Sequence, residues 1–113
     1  MAENAVKVGE IGPSDWFGVH EVCERRAAGY ARLMQMGRRF PPVVVVDYDG
    51  CAMPLDGHHR LTASKQIGRP HRAVIFNGDW FEDQCIRRKD AGRNPPDSVL
   101  IALADRMDRR GLA

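Results

Sequence analysis

Two consecutive prolines, Pro41 and Pro42, run straight into four valines, Val43 to Val46, and this pairing constrains the fold more than any other stretch of the chain. Proline offers no backbone donor and pushes the residue before it out of the helical region, so no helix crosses this point. Branching at Cβ then favours extended backbone. Polar and apolar residues do not alternate from Val43 to Tyr48, so the expected strand is covered on both faces. Asp49-Gly50 supplies a tight two-residue hairpin that returns the chain as a strand from Cys51 to Leu55. Pro54 leaves one side of that return strand unpaired or irregular.

At 113 residues the chain has room for one domain, residues 1–113, since domains commonly take roughly 100 to 200 residues. A short strand is expected over Val6 to Ile11, followed by turn chemistry and a candidate helix cap in Gly12-Pro13-Ser14-Asp15. Val19, Val22, Cys23, Ala27, Tyr30, Leu33 and Met34 recur at three- and four-residue intervals, which predicts an amphipathic helix from Val19 to near Gly37. A short helix should follow Asp56 and run to about Ile67, where Gly68 and Pro70 stop it. Arg72 to Phe76 reads as a further strand, and Asp79 with Glu82 as the capping box of a helix from Trp80 to about Lys89. After Pro95-Pro96 a last helix places Leu100, Leu103, Ala104 and Met107 on one face, which is expected to pack on the chain's own core. The order of elements is that of an α+β fold.

Composition excludes several classes. With 43% hydrophobic and 28% charged residues the chain is neither disordered nor repetitive. Its longest apolar run, Pro41 to Val46, is far short of the roughly 20 residues that cross a bilayer. Glu3 stands where a secretory leader carries bases, so a cytoplasmic protein without membrane contact is expected. Cys23, Cys51 and Cys85 are widely spaced and odd in number, which fits neither a disulfide framework nor a CxxC knuckle, and they are expected as partly buried thiols. The net charge of +2, from 17 bases and 15 acids, is too balanced to coat nucleic acid by charge alone. Lys7, Lys65 and Lys89 are the only lysines among the 17 bases, which leaves 14 arginines, the side chain whose planar fork matches phosphate. They cluster at Arg25-Arg26, Arg38-Arg39, Arg87-Arg88 and Arg109-Arg110, although a solvated face is the commoner role of such clusters. Trp16, Phe17, Trp80 and Phe81 are expected to close the ends of the core, and His71 to lie at the surface.

The stretch from Leu55 to Arg60 carries the chemistry. A strand that ends in Asp56-Gly57 and turns directly into a helix presents unpaired backbone N–H groups, the arrangement that attracts anions. Gly57 lets a ligand approach the backbone, and His58, His59 and Arg60 add donors in the first turn. Basic residues at a helix N-terminus oppose the macrodipole, and a bound anion would offset that penalty. The alternative is structural: Asp56 caps the helix, Gly57 satisfies the turn and the histidines are exposed polar residues. Adjacent histidines point about 100° apart on a helix and cannot chelate one ion as an i, i+4 pair does. No metal held by protein ligands alone is expected, whereas a divalent ion could arrive with a nucleotide.

The valine run, the hairpin, the segment from Leu55-Asp56-Gly57-His58-His59-Arg60 to Gly68 and the strand Ala73 to Phe76 together resemble the N-terminal domain of the ParB and sulfiredoxin superfamily. The resemblance covers about residues 6–77 and leaves a helical extension over 79–110. It implies a small mixed sheet with flanking helices that binds a nucleotide, CTP or ATP with Mg2+. In ParB proteins the matching loop reads G-E-R-R and cradles the phosphates of CTP; in sulfiredoxins it reads G-G-C-H-R, binds ATP and carries a nucleophilic cysteine. A related free-serine kinase uses the same scaffold for phosphoryl transfer. By this resemblance Gly57, His58, His59 and Arg60 hold the phosphates. His58 stands where sulfiredoxins have cysteine and ParB proteins glutamate, so the resemblance does not extend to sulfinic acid reduction or to that glutamate's role in CTP hydrolysis. Val19-His20-Glu21-Val22 resembles the segment in which relatives place a glutamate facing the nucleotide, which makes Glu21, with His58, a candidate catalytic residue. The alternative for Glu21 is an exposed acid pairing with Arg25 four residues on.

Three functions follow from this reading. The first is a nucleotide-binding domain with nucleoside triphosphatase or phosphoryl-transfer activity. The second is a DNA-associated factor of partition or nuclease type, although the chain has room for only two short helices beyond the shared region. The third is a non-enzymatic module that docks a protein partner or a second copy of itself.

Overall fold

The computed structural model describes residues 4–18 and 21–113. Its elements are β1 (Val6–Ile11), α1 (Glu24–Gln35), β2 (Val43–Tyr48), β3 (Cys51–Asp56), α2 (His58–Gln66), β4 (His71–Asn77), α3 (Gly78–Asp90) and α4 (Asp97–Arg109). The strands form one mixed sheet in the order β1-β4-β2-β3. β2 and β4 pair in parallel at its centre, with β1 and β3 antiparallel on the outside.

Burial explains why valine fills β2. Val43 and Val45 join Ile11, Ile75 and Leu61 of α2 in one apolar cluster. Val44 and Val46 join Val74, Phe76, Phe81 of α3 and Leu100 and Ala104 of α4 in another. The period of two in a strand thus sends alternate valines into separate layers. α1 packs on α2 and buries Ala27 and Ala31. The hairpin is the expected one, with positive φ at both Asp49 (53°) and Gly50 (88°). Asp47 Oδ1 accepts the Gly50 N–H at 3.0 Å. Pro54 sits on the edge strand, and the ladder opposite it slips between Val44 and Val45.

Several sequence expectations need correction. α1 begins at Glu24 rather than Val19, so Val22 and Cys23 precede it; Val19 and His20 lie outside the described residues. The turn at residues 12–15 caps no helix. Instead the segment runs beside β3, where Asp15 O accepts the Ala52 N–H at 2.8 Å and Phe17 N–H donates to Ala52 O at 3.0 Å. α3 is capped by Asn77, whose side chain accepts the Trp80 N–H at 2.9 Å. Glu82 receives the Tyr48 hydroxyl instead of closing a capping box with Asp79. His71 is buried at 8% exposure, because pairing with Ile11 draws it into the sheet. Cys23 and Cys51 are exposed thiols, and Phe17 is 40% exposed. Trp16, Phe81 and the Phe76–Trp80 stack do close the core. The last helix packs as expected, through Leu100 and Ala104 with Leu103 and Met107 at the margin. No helix among the described residues is long and apolar enough to cross a membrane.

Two predictions follow. Removing a side-chain cap costs about 1 kcal/mol, so Asn77→Ala should lower the unfolding free energy by about that amount in urea titrations, and Asp79→Ala by less than half as much. Burial is the main reason the His71 imidazole titrates below its ordinary range, with the neighbouring Arg60 and Arg72 charges acting in the same direction. The unfolded chain therefore takes up this proton at a higher pH than the folded one. The stability contributed by neutral His71 is full above its ordinary value of 6.5 and is lost as pH falls through the depressed folded value. The urea midpoint should drop over that window, and the drop should be shallower in His71→Gln.

Candidate functional site

The first turn of α2 is built on a glycine that nothing else can replace. Gly57 is the N-cap residue with φ 103°, and a Cβ there would stand 2.5 Å from Val43 Cγ1. Its carbonyl accepts the Leu61 N–H at 2.9 Å, which starts the helix. Gly57, having no side chain, gives α2 no cap from its N-cap residue. Asp56, the candidate cap, turns its carboxylate to Arg60 Nη2 at 3.3 Å instead. The first turn of α2, from His58 to Arg60, is the positive end of the helix dipole.

That end faces a cavity of about 860 Å³ lined by Gly57, His58, His59 and Arg60, a volume in the range of organic ligands, about 300–1,000 Å³. The site residues named from sequence on this turn are therefore brought together. Arg60 is held in place from three directions. Nη1 donates to the carbonyls of Pro41 at 2.7 Å and Pro42 at 3.1 Å, while Nη2 meets Asp56. The side chain is 15% exposed, so the guanidinium anchors the turn and keeps Nε and one Nη2 proton for a ligand. His59 Nε2 accepts the backbone N–H of Cys23 at 3.2 Å. An accepting Nε2 puts the proton of a neutral ring on Nδ1, which remains a donor. Cys23 is itself the N-cap residue of α1, so this bond ties the two helix starts together.

The opposite walls come from α1 and α4. Tyr30 stands edge-on to Phe40 at 5.4 Å and to His59 at 6.5 Å between ring centres, and Arg26 Nε donates to the Tyr30 hydroxyl at 3.3 Å. α4 contributes Ser98, Ala102, Asp105 and Asp108. Each acid of the lining is matched by an arginine: Asp56 by Arg60, Asp105 by Arg109 at 3.1 Å and Asp108 by Arg72 at 3.0 Å. These pairs lower the repulsion that an anionic ligand would meet. Among the described residues no three His, Cys, Asp or Glu side chains gather closely enough to hold a metal ion.

Glu21 lies in the coil before α1, exposed and outside the cavity lining, and no ion pair joins it to Arg25. The α4 wall was absent from the sequence reading. Its signal in the sequence is the spacing of Ser98, Ala102, Asp105 and Asp108, a second stripe beside the apolar one on the same helix.

No protein-family model matches the chain, and no curated protein matches it. Solved structures do. Sulfiredoxin from Arabidopsis thaliana aligns over 68% of this chain and 94% of its own, with TM-score 0.50 and 18% identity. A variant of free serine kinase in complex with ADP aligns over 71% of this chain with TM-score 0.52 and 19% identity. A conserved hypothetical protein from Pyrococcus furiosus aligns over 65% of this chain with TM-score 0.51 and 17% identity. The chain spans about a third of the length of the last two, 34% and 32%. The α+β fold is thus shared with sulfiredoxin and free serine kinase.

Left-handed backbone with a Cβ against Val43 is doubly unfavourable, and such positions cost of order 1–3 kcal/mol from backbone conformation alone. Gly57→Ala should lower the unfolding free energy by at least about 2 kcal/mol in denaturant titrations. Gly37→Ala, with positive φ but open space around it, should cost less.

Proposed function

We propose that this chain binds a nucleotide, with its phosphates on the first turn of α2. The observation that carries the reading is a helix N-terminus flanked by His59 and Arg60 that faces a cavity of about 860 Å³, within the range of organic ligands. Solved structures of free serine kinase in complex with ADP and AMP, which share the fold, support it. The backbone N–H groups of residues 58–60 donate to phosphate oxygens, and the helix dipole adds to the attraction. Arg60 neutralises charge while its carbonyl partners keep it from following the ligand into solvent. His59 donates through Nδ1, and the Tyr30–Phe40 edge gives a nucleobase an apolar surface.

Mg2+ commonly keeps several waters and takes one or two carboxylates beside phosphate oxygens. Asp56, Asp105 and Asp108 line the cavity, and since each is paired with an arginine, one of them would have to share its carboxylate to hold the ion. The ion would neutralise phosphate charge. Turnover, by hydrolysis or transfer, rests mainly on positioning and electrostatics in phosphoryl chemistry. We extend the proposal to His58 as a donor to the terminal phosphate. Glu21, exposed and outside the cavity lining, is kept in this proposal as the base for an acceptor hydroxyl.

The test is calorimetric titration with ATP, ADP and CTP in magnesium. Saturable binding of at least one nucleotide is expected, with affinity reduced about tenfold or more in Ala102→Trp, which fills the cavity from the exposed side of α4. A ligand at 100 times Kd should raise stability by about 2.7 kcal/mol, visible as a shift in Tm. Absence of saturable binding for all three nucleotides overturns the reading.

A further inference from the structure

A second cavity, of about 250 Å³, lies behind Phe40, where the loops that follow α1 and α2 meet the start of β4. Arg38 and Arg39 line it from the first loop and Arg69 from the second. All three are exposed, and among the described residues none forms an ion pair. A fourth arginine, Arg72, is already engaged by Asp108 at 3.0 Å and by the carbonyls of Phe40 at 2.9 Å and Ala113 at 2.7 Å. Among the described residues the one acid in the lining is Glu10, which sits opposite Arg72 in the β1–β4 register. Three arginines without an ion-pair partner among the described residues therefore line a single concavity together with one acid.

The interior of this cavity is polar as well as its rim. Ser64 and His71 line it at 3% and 8% exposure. The Ser64 hydroxyl donates to Met34 Sδ at 3.8 Å, and a thioether is a weak acceptor that releases the proton readily to a better one. His71 Nδ1–H is held by the Arg72 carbonyl at 2.7 Å. A buried hydroxyl with so poor a partner is an unusual thing to keep in a cavity that three arginines also line, since like charges gathered at one concavity favour a counter-ion. The volume lies below the range of organic ligands, about 300–1,000 Å³, and suits a single tetrahedral oxyanion. Arginine forks are the side chains best shaped to bind one.

We propose that this second cavity is a phosphate site, with Arg38, Arg39 and Arg69 as guanidinium ligands and the Ser64 hydroxyl as the donor at its floor. The site is separate from the proposed nucleotide cavity, with Phe40 as the one residue that lines both. It takes the free ion. Inorganic phosphate is the probe, titrated into the full chain at constant ionic strength and followed by calorimetry and by amide NMR shifts. Saturable binding is expected, with the largest shifts at residues 38–40, 64 and 69. The double variant Arg38→Gln/Arg39→Gln and the single variant Arg69→Gln should each weaken it about tenfold or more. Ser64→Ala should weaken it less, and Ala102→Trp not at all. An equal response to chloride, or no saturable binding, overturns the proposal. Phosphate binding that vanishes in Ala102→Trp but survives in the arginine variants places the ion on α2, which also overturns it and leaves the nucleotide reading standing.

Discussion

The guanidinium of Arg60 is the clasp on which the site depends. Its contacts reach the carbonyls of Pro41 and Pro42, just ahead of β2, and the carboxylate of Asp56, the last residue of β3. The Pro41 and Pro42 carbonyls, just ahead of the ladder, accept from a cation rather than from a neutral donor. Hydrogen bonds with one charged partner contribute about 1.5–3 kcal/mol each, and these hold three segments in one register. Because the same residue lies in the first turn of α2, the strands fix the direction in which the helix start points. The cavity inherits its positive end from that clasp.

Much of this was legible in the sequence wherever the cause was local. Two prolines and four valines determine β2, Asp49-Gly50 determines the hairpin, and Gly57 marks the left-handed start of α2; each follows from the chemistry of one or two residues. The sequence reading failed where a tertiary partner decided the outcome. Asn77 caps α3 because the turn out of β4 aims its side chain at the Trp80 N–H, while Glu82 is diverted by the Tyr48 hydroxyl. His71 is buried because β1 pairs across it. The start of α1 is set by His59, thirty-six residues away, receiving the Cys23 N–H. Periodicity on α1 itself could not reveal that.

The site followed the same division. Gly57, His58, His59 and Arg60 were readable as a group because they are contiguous. Their surroundings were not, since Tyr30, Phe40 and the polar stripe of α4 come together only through the packing of the sheet's layers. The likeness to sulfiredoxin and free serine kinase, at 17–19% identity, is a likeness of scaffold. Function rests on the side chains that this chain itself places on the scaffold.

α4 reaches the sheet through a short apolar stripe and, at its far end, through Arg72, which binds both Asp108 and the Ala113 carbonyl. One guanidinium on β4 thus moors the end of the helix that walls the cavity. Elements held by few buried contacts open at lower cost than the core beneath them. The width of the cleft therefore depends on how this helix sits on the valine layer beneath it. Any molecule seated there gains a second duty as mortar between helix and sheet.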